Sequence, residues 1–176
     1  MIFDEVYYVD GARDLIKYGV EVTGADPEFV VHPPVGKWLI ASGIKVFGDN
    51  PLGWRFTTAL LGSVMILVIA LIAHRLFYSP VLTALAAALM AVDGLALVHS
   101  RTALLDNFLA FFILVATHFF ISRKYWWSGA FLGLALATKW SALYFILVFG
   151  LIALYRAFNH HTGRDLIRPT LSRMGA

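Results

Sequence analysis

The 176 residues are 60% hydrophobic and 14% charged, with a mean hydropathy of +0.75, more apolar surface than a water-soluble domain of this length can bury. The formal charge of +3 and pI near 9.3 do not mark a nucleic-acid binder, because Lys and Arg are scattered between apolar runs and form no stripe. Cysteine is absent, which excludes disulfides, thiolate metal sites and thiol catalysis together.

The first 54 residues form the one polar segment. It opens with the adjacent acids Asp4 and Glu5, and two carboxylates at a bilayer edge are costly unless they are used, which points to an enzyme acting on a lipid-borne substrate at the membrane surface. Val6, Tyr7, Tyr8, Val9, Ala12, Leu15 and Ile16 then recur at helical spacing, with Asp10, Arg13, Asp14 and Lys17 on the other face. The pattern predicts an amphipathic helix lying in the membrane interface. Gly19 and Gly24 punctuate, Pro33-Pro34 stops any helix, and a second amphipathic stretch from Trp38 to Phe47 closes on Gly48-Asp49-Asn50-Pro51. No basic flank and apolar core follow Met1, so the segment that carries this loop across the membrane is expected upstream.

Apolar spans follow. Phe56 to Ala73 and Val81 to Val98 are each predicted as one helix crossing most of a hydrocarbon core of about 30 Å. Phe108 to Ile121 becomes a span when extended back through Leu104, Leu105, Asp106 and Asn107. Trp126 to Tyr155 is too long for one untilted helix, and we read it as a hairpin of two short helices with Lys139 at its tip. If the five pieces alternate, Arg75, Arg123, Lys124, Arg156, Arg164, Arg168 and Arg173 share one side, expected to be cytoplasmic, and the acidic pair lies outside the cell. The domain expectation is a single partial membrane domain over 1–176, with an extracytoplasmic loop at 1–54, transmembrane helices at 55–155 and a cytoplasmic tail at 156–176.

Several charges invite chemistry, each with a plainer alternative. The acidic pair would also suit the N-terminus of the following helix, and His32-Pro33-Pro34-Val35-Gly36-Lys37 would also make a rigid interfacial turn with a snorkelling lysine. Gly36-Lys37 is no nucleotide-binding loop, because the glycine spacing is wrong. Arg55, at the outer boundary, can bind a phosphate with two donors or anchor the interface. Arg101 lies between Asp93 and Asp106 in sequence and would either pair with one of them to tie helices together or serve as a second phosphate contact. Lys139 joins that electropositive rim or snorkels outward. His74, His99, His118, His160 and His161 show no ligand spacing with an acid, so a structural zinc site is not expected.

Taken in order, Phe3-Asp4-Glu5-Val6-Tyr7-Tyr8, Val31-His32-Pro33-Pro34-Val35-Gly36-Lys37, Trp54-Arg55, Ser100 to Asn107 and Thr138-Lys139-Trp140-Ser141 resemble the protein O-mannosyltransferase family, its bacterial members above all. The resemblance implies an all-α, polytopic transmembrane helical bundle of the GT-C type and mannose transfer from a polyprenyl-phosphate carrier to Ser or Thr of exported proteins at the plasma membrane. It implies Asp4 as the base that takes the hydroxyl proton during an inverting attack, with Glu5 positioning the acceptor or holding a neighbouring cation. Arg55, Arg101, His32, Lys37 and Asp106 become candidates for donor or phosphate binding. A divalent cation beside Asp4 and Glu5 stays open, since two acids define no coordination sphere. The nearest rivals are a sister lipid-linked glycosyltransferase acting on lipid A or another glycan, whose members usually carry Lys where this chain has His32, and a non-catalytic membrane remnant. Family members have a transmembrane helix before the acidic pair and more after the last span. Without them Asp4 and Glu5 are expected to be mobile and hydrated, and the chain inactive alone.

Overall fold

A computed structural model describes residues 4–23, 26–27 and 31–161. Gly24, Arg164, Arg168 and Arg173 lie outside the described residues, as do the side chains of His160 and His161. The regular elements among the described residues are helices and one short ribbon, and the chain falls into two compact units, Met1–Ala142 and Leu143–Ala176.

The polar segment folds as helix α1 (Glu5–Lys17), strands β1 (Val22–Thr23) and β2 (Asp26–Pro27), and helix α2 (Val35–Phe47). Amphipathicity dictates how they pack. Tyr8, Val9 and Ala12 of α1 are buried, as are Ile40, Ala41 and Ile44 of α2, while Asp10, Lys17 and Lys45 stay exposed. Gly43 lets α2 meet the next helix closely, because a Cβ there would collide with the Gly53 carbonyl. Arg13 secures the junction: it donates to Asp49 (2.9 Å) and to Asp10 (2.7 Å) and lies 5.4 Å from the centre of the Trp54 ring.

Helix α3 (Pro51–Phe77) is the longest described helix. Its start follows local grammar, with Asn50 accepting from the Leu52 and Gly53 N–H groups (3.0 and 3.2 Å) and Pro51 at the first helical position. At 27 residues it is long and apolar enough to cross a bilayer, the one such helix among the described residues. Ser79-Pro80 repeats the same signal at the start of α4 (Pro80–Val92). Here the expectation of one helix from Val81 to Val98 is corrected. Asp93 turns to extended backbone (ψ 121°) and its Oδ1 accepts the Ala96 N–H at 2.7 Å, so it caps a separate short helix, α5 (Gly94–His99). A short acid prefers this local bond to a place inside a helix.

Helix α6 (Leu105–Ile121) begins at the point expected from the extended run, and α7 (Tyr125–Leu136) packs back along it through Phe119 stacked on Trp127 and Phe131, at 6.1 and 5.6 Å. A turn carrying Lys139 follows, so the break in the last apolar run falls where expected. In the first unit the core gathers at the end where α1 and α2 meet α3 and α6: Val9, Ile40, Ala103, Leu105 and Phe108 have no exposed surface. Away from that end Leu60, Leu67 and Leu71 of α3 and Val81, Leu85, Leu89 and Val92 of α4 are exposed, and α4 buries no residue. In the second unit, α8 (Ala142–His161) likewise exposes Tyr144, Leu147, Val148, Leu151 and Leu154.

Candidate active site

The adjacent acids Asp4 and Glu5 have opposite fates. Glu5, in the first turn of α1, has no exposed surface. Arg55 of α3 donates to it twice, Nε to Oε1 and Nη2 to Oε2, both at 2.7 Å, and the Ala103 N–H donates to Oε1 at 3.0 Å. One carboxylate therefore joins α1, α3 and the loop before α6, and the two-pronged geometry satisfies a charge that burial would otherwise penalise heavily. The expectation that Glu5 is mobile and hydrated is corrected: ion pair and amide hold it in the core. The Arg55 fork, expected at a phosphate, closes on Glu5, while 31% of its side chain remains exposed.

Asp4 is only half-buried. It occupies the cap position of α1 but makes no side-chain cap bond, and among the described residues no Lys or Arg pairs with it. Its neighbour is Tyr8, one helical turn on, where i and i+4 share a face. Burial first, then the negative charges of Asp4 and Asp106 and the hydrogen bond to Asp4, push the Tyr8 hydroxyl up to about 12. Tyr8 therefore stays protonated and can only donate to the carboxylate.

His32 completes this cluster. Its ring lies 6.2 Å from that of Tyr8, and its Nδ1 is buried without a hydrogen-bond partner. Burial holds the imidazole below its usual range, helped by Lys139 and Lys37 and opposed by Asp106 and Asp4, so the ring is neutral at pH 7. The segment carrying it is pinned at both ends: the Val35 N–H donates to the Ala137 carbonyl (3.0 Å) and Trp140 Nε1 to the Val31 carbonyl (3.0 Å). Pro33-Pro34 stiffens the stretch between.

Lys139 pairs with Asp106 at 2.7 Å. The expected ties between Arg101 and Asp106 or Asp93 do not form, because Asp106 takes Lys139 and Asp93 caps α5. Arg101 is exposed, and its guanidinium makes no ion pair among the described residues. It stands two residues from Ala103, whose N–H grips Glu5, so the chain holds it beside the acidic pair. Lys37, expected at the rim, is instead buried against Glu21. Gly11 makes room for that pair, since a Cβ there would come within 2.7 Å of Glu21 Oε2.

Asp4, Tyr8, His32, Asp106 and Lys139 thus share one site, Arg101 stands at its edge, and Glu5, Arg55 and Lys37 form its frame. Tyr8 and Glu21 escaped the sequence reading. The i, i+4 spacing of Tyr8 from Asp4 was a usable signal, whereas nothing in the sequence pairs Glu21 with Lys37. Among the described residues no three His, Asp or Glu side chains gather as a metal site.

The chain is 40% identical over 186 aligned residues to the polyprenol-phosphate-mannose–protein mannosyltransferase of Mycobacterium tuberculosis, covering 87% of this chain and 35% of that protein. It is 38% identical to the protein of that name from Corynebacterium glutamicum, covering 88% and 36%. A shorter stretch, 44% of the chain, is 35% identical to 14% of an undecaprenyl phosphate-alpha-4-amino-4-deoxy-L-arabinose arabinosyl transferase of Pseudomonas fluorescens. The chain spans about a third of the length of the mannosyltransferases it matches. No solved structure matches it. Residues 31–172 match the dolichyl-phosphate-mannose-protein mannosyltransferase family, and the chain belongs to that family.

Proposed function

We propose that this chain forms the catalytic N-terminal part of a protein O-mannosyltransferase of the GT-C type, which moves mannose from a polyprenyl phosphate to a Ser or Thr hydroxyl with inversion. The observation that carries the reading is the division of labour at Asp4 and Glu5: one carboxylate is locked into the frame, and its neighbour is left half-buried with neither cation nor cap bond. A serine hydroxyl is a weak nucleophile. Asp4 takes its proton as the oxygen attacks the sugar C1, the bond from C1 to the phosphate oxygen breaks, and the polyprenyl phosphate leaves with the electron pair. One base and a good leaving group suffice, so no glycosyl-enzyme forms.

Tyr8 donates to Asp4 and fixes the direction in which its second oxygen faces the acceptor. Neutral His32 suits a sugar hydroxyl better than a phosphate, and Arg101, exposed beside the acidic pair, suits the carrier phosphate together with Lys139. Arg55 and Lys37 act indirectly, by holding α1 and α2 in place. The site lies at the extracytoplasmic face of a multi-pass protein of the plasma membrane, a topology supported by the one-sided clustering of Arg75, Arg123 and Lys124. Further chain, as in the longer relatives, completes the cavity around the donor, and residues 1–176 alone are inactive. Radiolabelled transfer from polyprenyl phosphomannose to a Ser/Thr-rich peptide by the complete enzyme tests the reading. Inverted mannose on peptide hydroxyls is expected, and retention of configuration or transfer only to a glycan acceptor would overturn it.

A further inference from the structure

The end of the bundle away from Asp4 carries a second charged constellation. Helices α3 and α6 pack together and both start near Glu5, so their last turns, with Arg75 and His118, lie at the far end, where α7 begins. Arg75 and Lys124 both come close enough to act on the His118 ring. Arg75, Arg123 and Lys124 are exposed, and none makes an ion pair among the described residues. No acid is near in sequence: there is no Asp or Glu between Asp49 and Asp93, nor between Asp106 and Asp165. Among the described residues no acid compensates the positive charge of this corner.

It is also built rather than diffuse. The Arg123 N–H donates to the Phe120 carbonyl (3.1 Å) and the Lys124 N–H to the Phe119 carbonyl (2.9 Å), a helix ending that needs a left-handed residue between them. That residue is Arg123, at φ 59°, where glycine would fit without strain. Phe120 packs edge-on against Tyr125 at 5.4 Å, so the last turn of α6 and the first turn of α7 form one rigid corner. Helix α7 begins at Lys124 without a side-chain cap, which leaves the N–H groups of its first turn free of intrahelical partners. Two polar atoms of facing helices, His118 Nδ1 and Ser128 Oγ, are buried without a partner, and Ser128 is only 2% exposed. Tyr78, Tyr125, Trp126 and Trp127 are exposed around the corner, Trp126 at 90%, as rings that sit at headgroup depth are.

We infer that this corner binds the phosphodiester headgroup of an anionic phospholipid in the leaflet opposite Asp4. Arg75, Arg123, Lys124 and the open N-terminus of α7 take the phosphate oxygens. Cations that no acid among the described residues neutralises, and a helix start without a side-chain cap, are answered by one ligand. A zwitterionic lipid offers the same phosphate, but its own ammonium would meet the same cations.

The test is lipid retention by the complete protein, reconstituted in nanodiscs of equal phosphatidylglycerol and phosphatidylcholine, released into mild detergent and weighed by native mass spectrometry. One retained phosphatidylglycerol is expected. Arg75→Gln and Lys124→Gln should each lower its retention about fivefold, whereas Lys45→Gln, at the other end of the bundle, should not. Equal retention of the two lipids, or an equal loss with Lys45→Gln, would reduce the corner to diffuse basicity and overturn the inference. Displacement of the lipid by excess inorganic phosphate would overturn it too, assigning the corner to a soluble anion.

Discussion

Replacing Glu5 by alanine removes a carboxylate with no exposed surface, its two hydrogen bonds from Arg55 and its bond from the Ala103 N–H. Deleting one partner of a buried pair costs about 3–5 kcal/mol, chiefly because the other is left charged and desolvated. Arg55 keeps 31% of its side chain exposed and can rehydrate, so Glu5→Ala should sit below that range, at about 2–3 kcal/mol. Arg55→Met strands the fully buried partner and should cost more, about 3–5 kcal/mol. The double variant should be no worse than Arg55→Met alone, since neither charge then remains. For a chain of this size Glu5→Ala corresponds to about 5–10 °C in unfolding temperature, readable from tryptophan fluorescence of detergent-solubilised protein. A Glu5→Ala protein as stable as the parent yet unable to transfer mannose would refute the reasoning, because Glu5 would then act on substrate.

Four further outcomes follow. His32 is held neutral by burial, so its folded pKa lies below the ordinary 6.5: the unfolded chain binds the extra proton, and the stability this group contributes is present above pH 6.5 and lost on acidification. His32→Phe should flatten that loss in a pH series of unfolding temperatures. Gly11→Ala should cost about 1–3 kcal/mol by forcing Glu21 and Lys37 apart, whereas Gly133→Ala, which meets no neighbour, should be neutral or slightly stabilising. Asp93→Ala removes the α5 cap and should cost about 1 kcal/mol with turnover unchanged. Because the chain has no cysteine, Lys45→Cys and Lys124→Cys allow topology to be read directly: an impermeant thiol reagent should label the first from outside and the second only after permeabilisation.

Much of the fold was legible where composition and period suffice. The apolar faces of α1 and α2 follow from spacing, whereas the start signals Asn50-Pro51 and Ser79-Pro80 lie ahead of the apolar runs, so α3 begins at Pro51 and not at Phe56. The break at Asp93 was not legible, because the residues on both sides are apolar and one cap signal disappears in the average hydropathy. The candidate charges were legible one by one but not as partners. Glu5 lies 50 residues from Arg55 and 98 from Ala103, and Asp106 lies 33 from Lys139, separations at which only the packed bundle decides who meets whom. Arg55 and Lys37 looked like phosphate ligands because an isolated cation at an interface has no visible acid. Glu5 and Glu21 supply one for each. Tyr8 was counted with the apolar face of α1, where its ring belongs, and its hydroxyl was overlooked.

The division of labour between the two acids is the central claim, and Asp4→Asn tests it most directly. The substitution keeps size and hydrogen-bonding capacity and touches no ion pair, so unfolding temperature and carrier binding should match the parent while turnover in the complete enzyme falls about 100-fold or more. Near-normal turnover would remove Asp4 as the base and contradict the account.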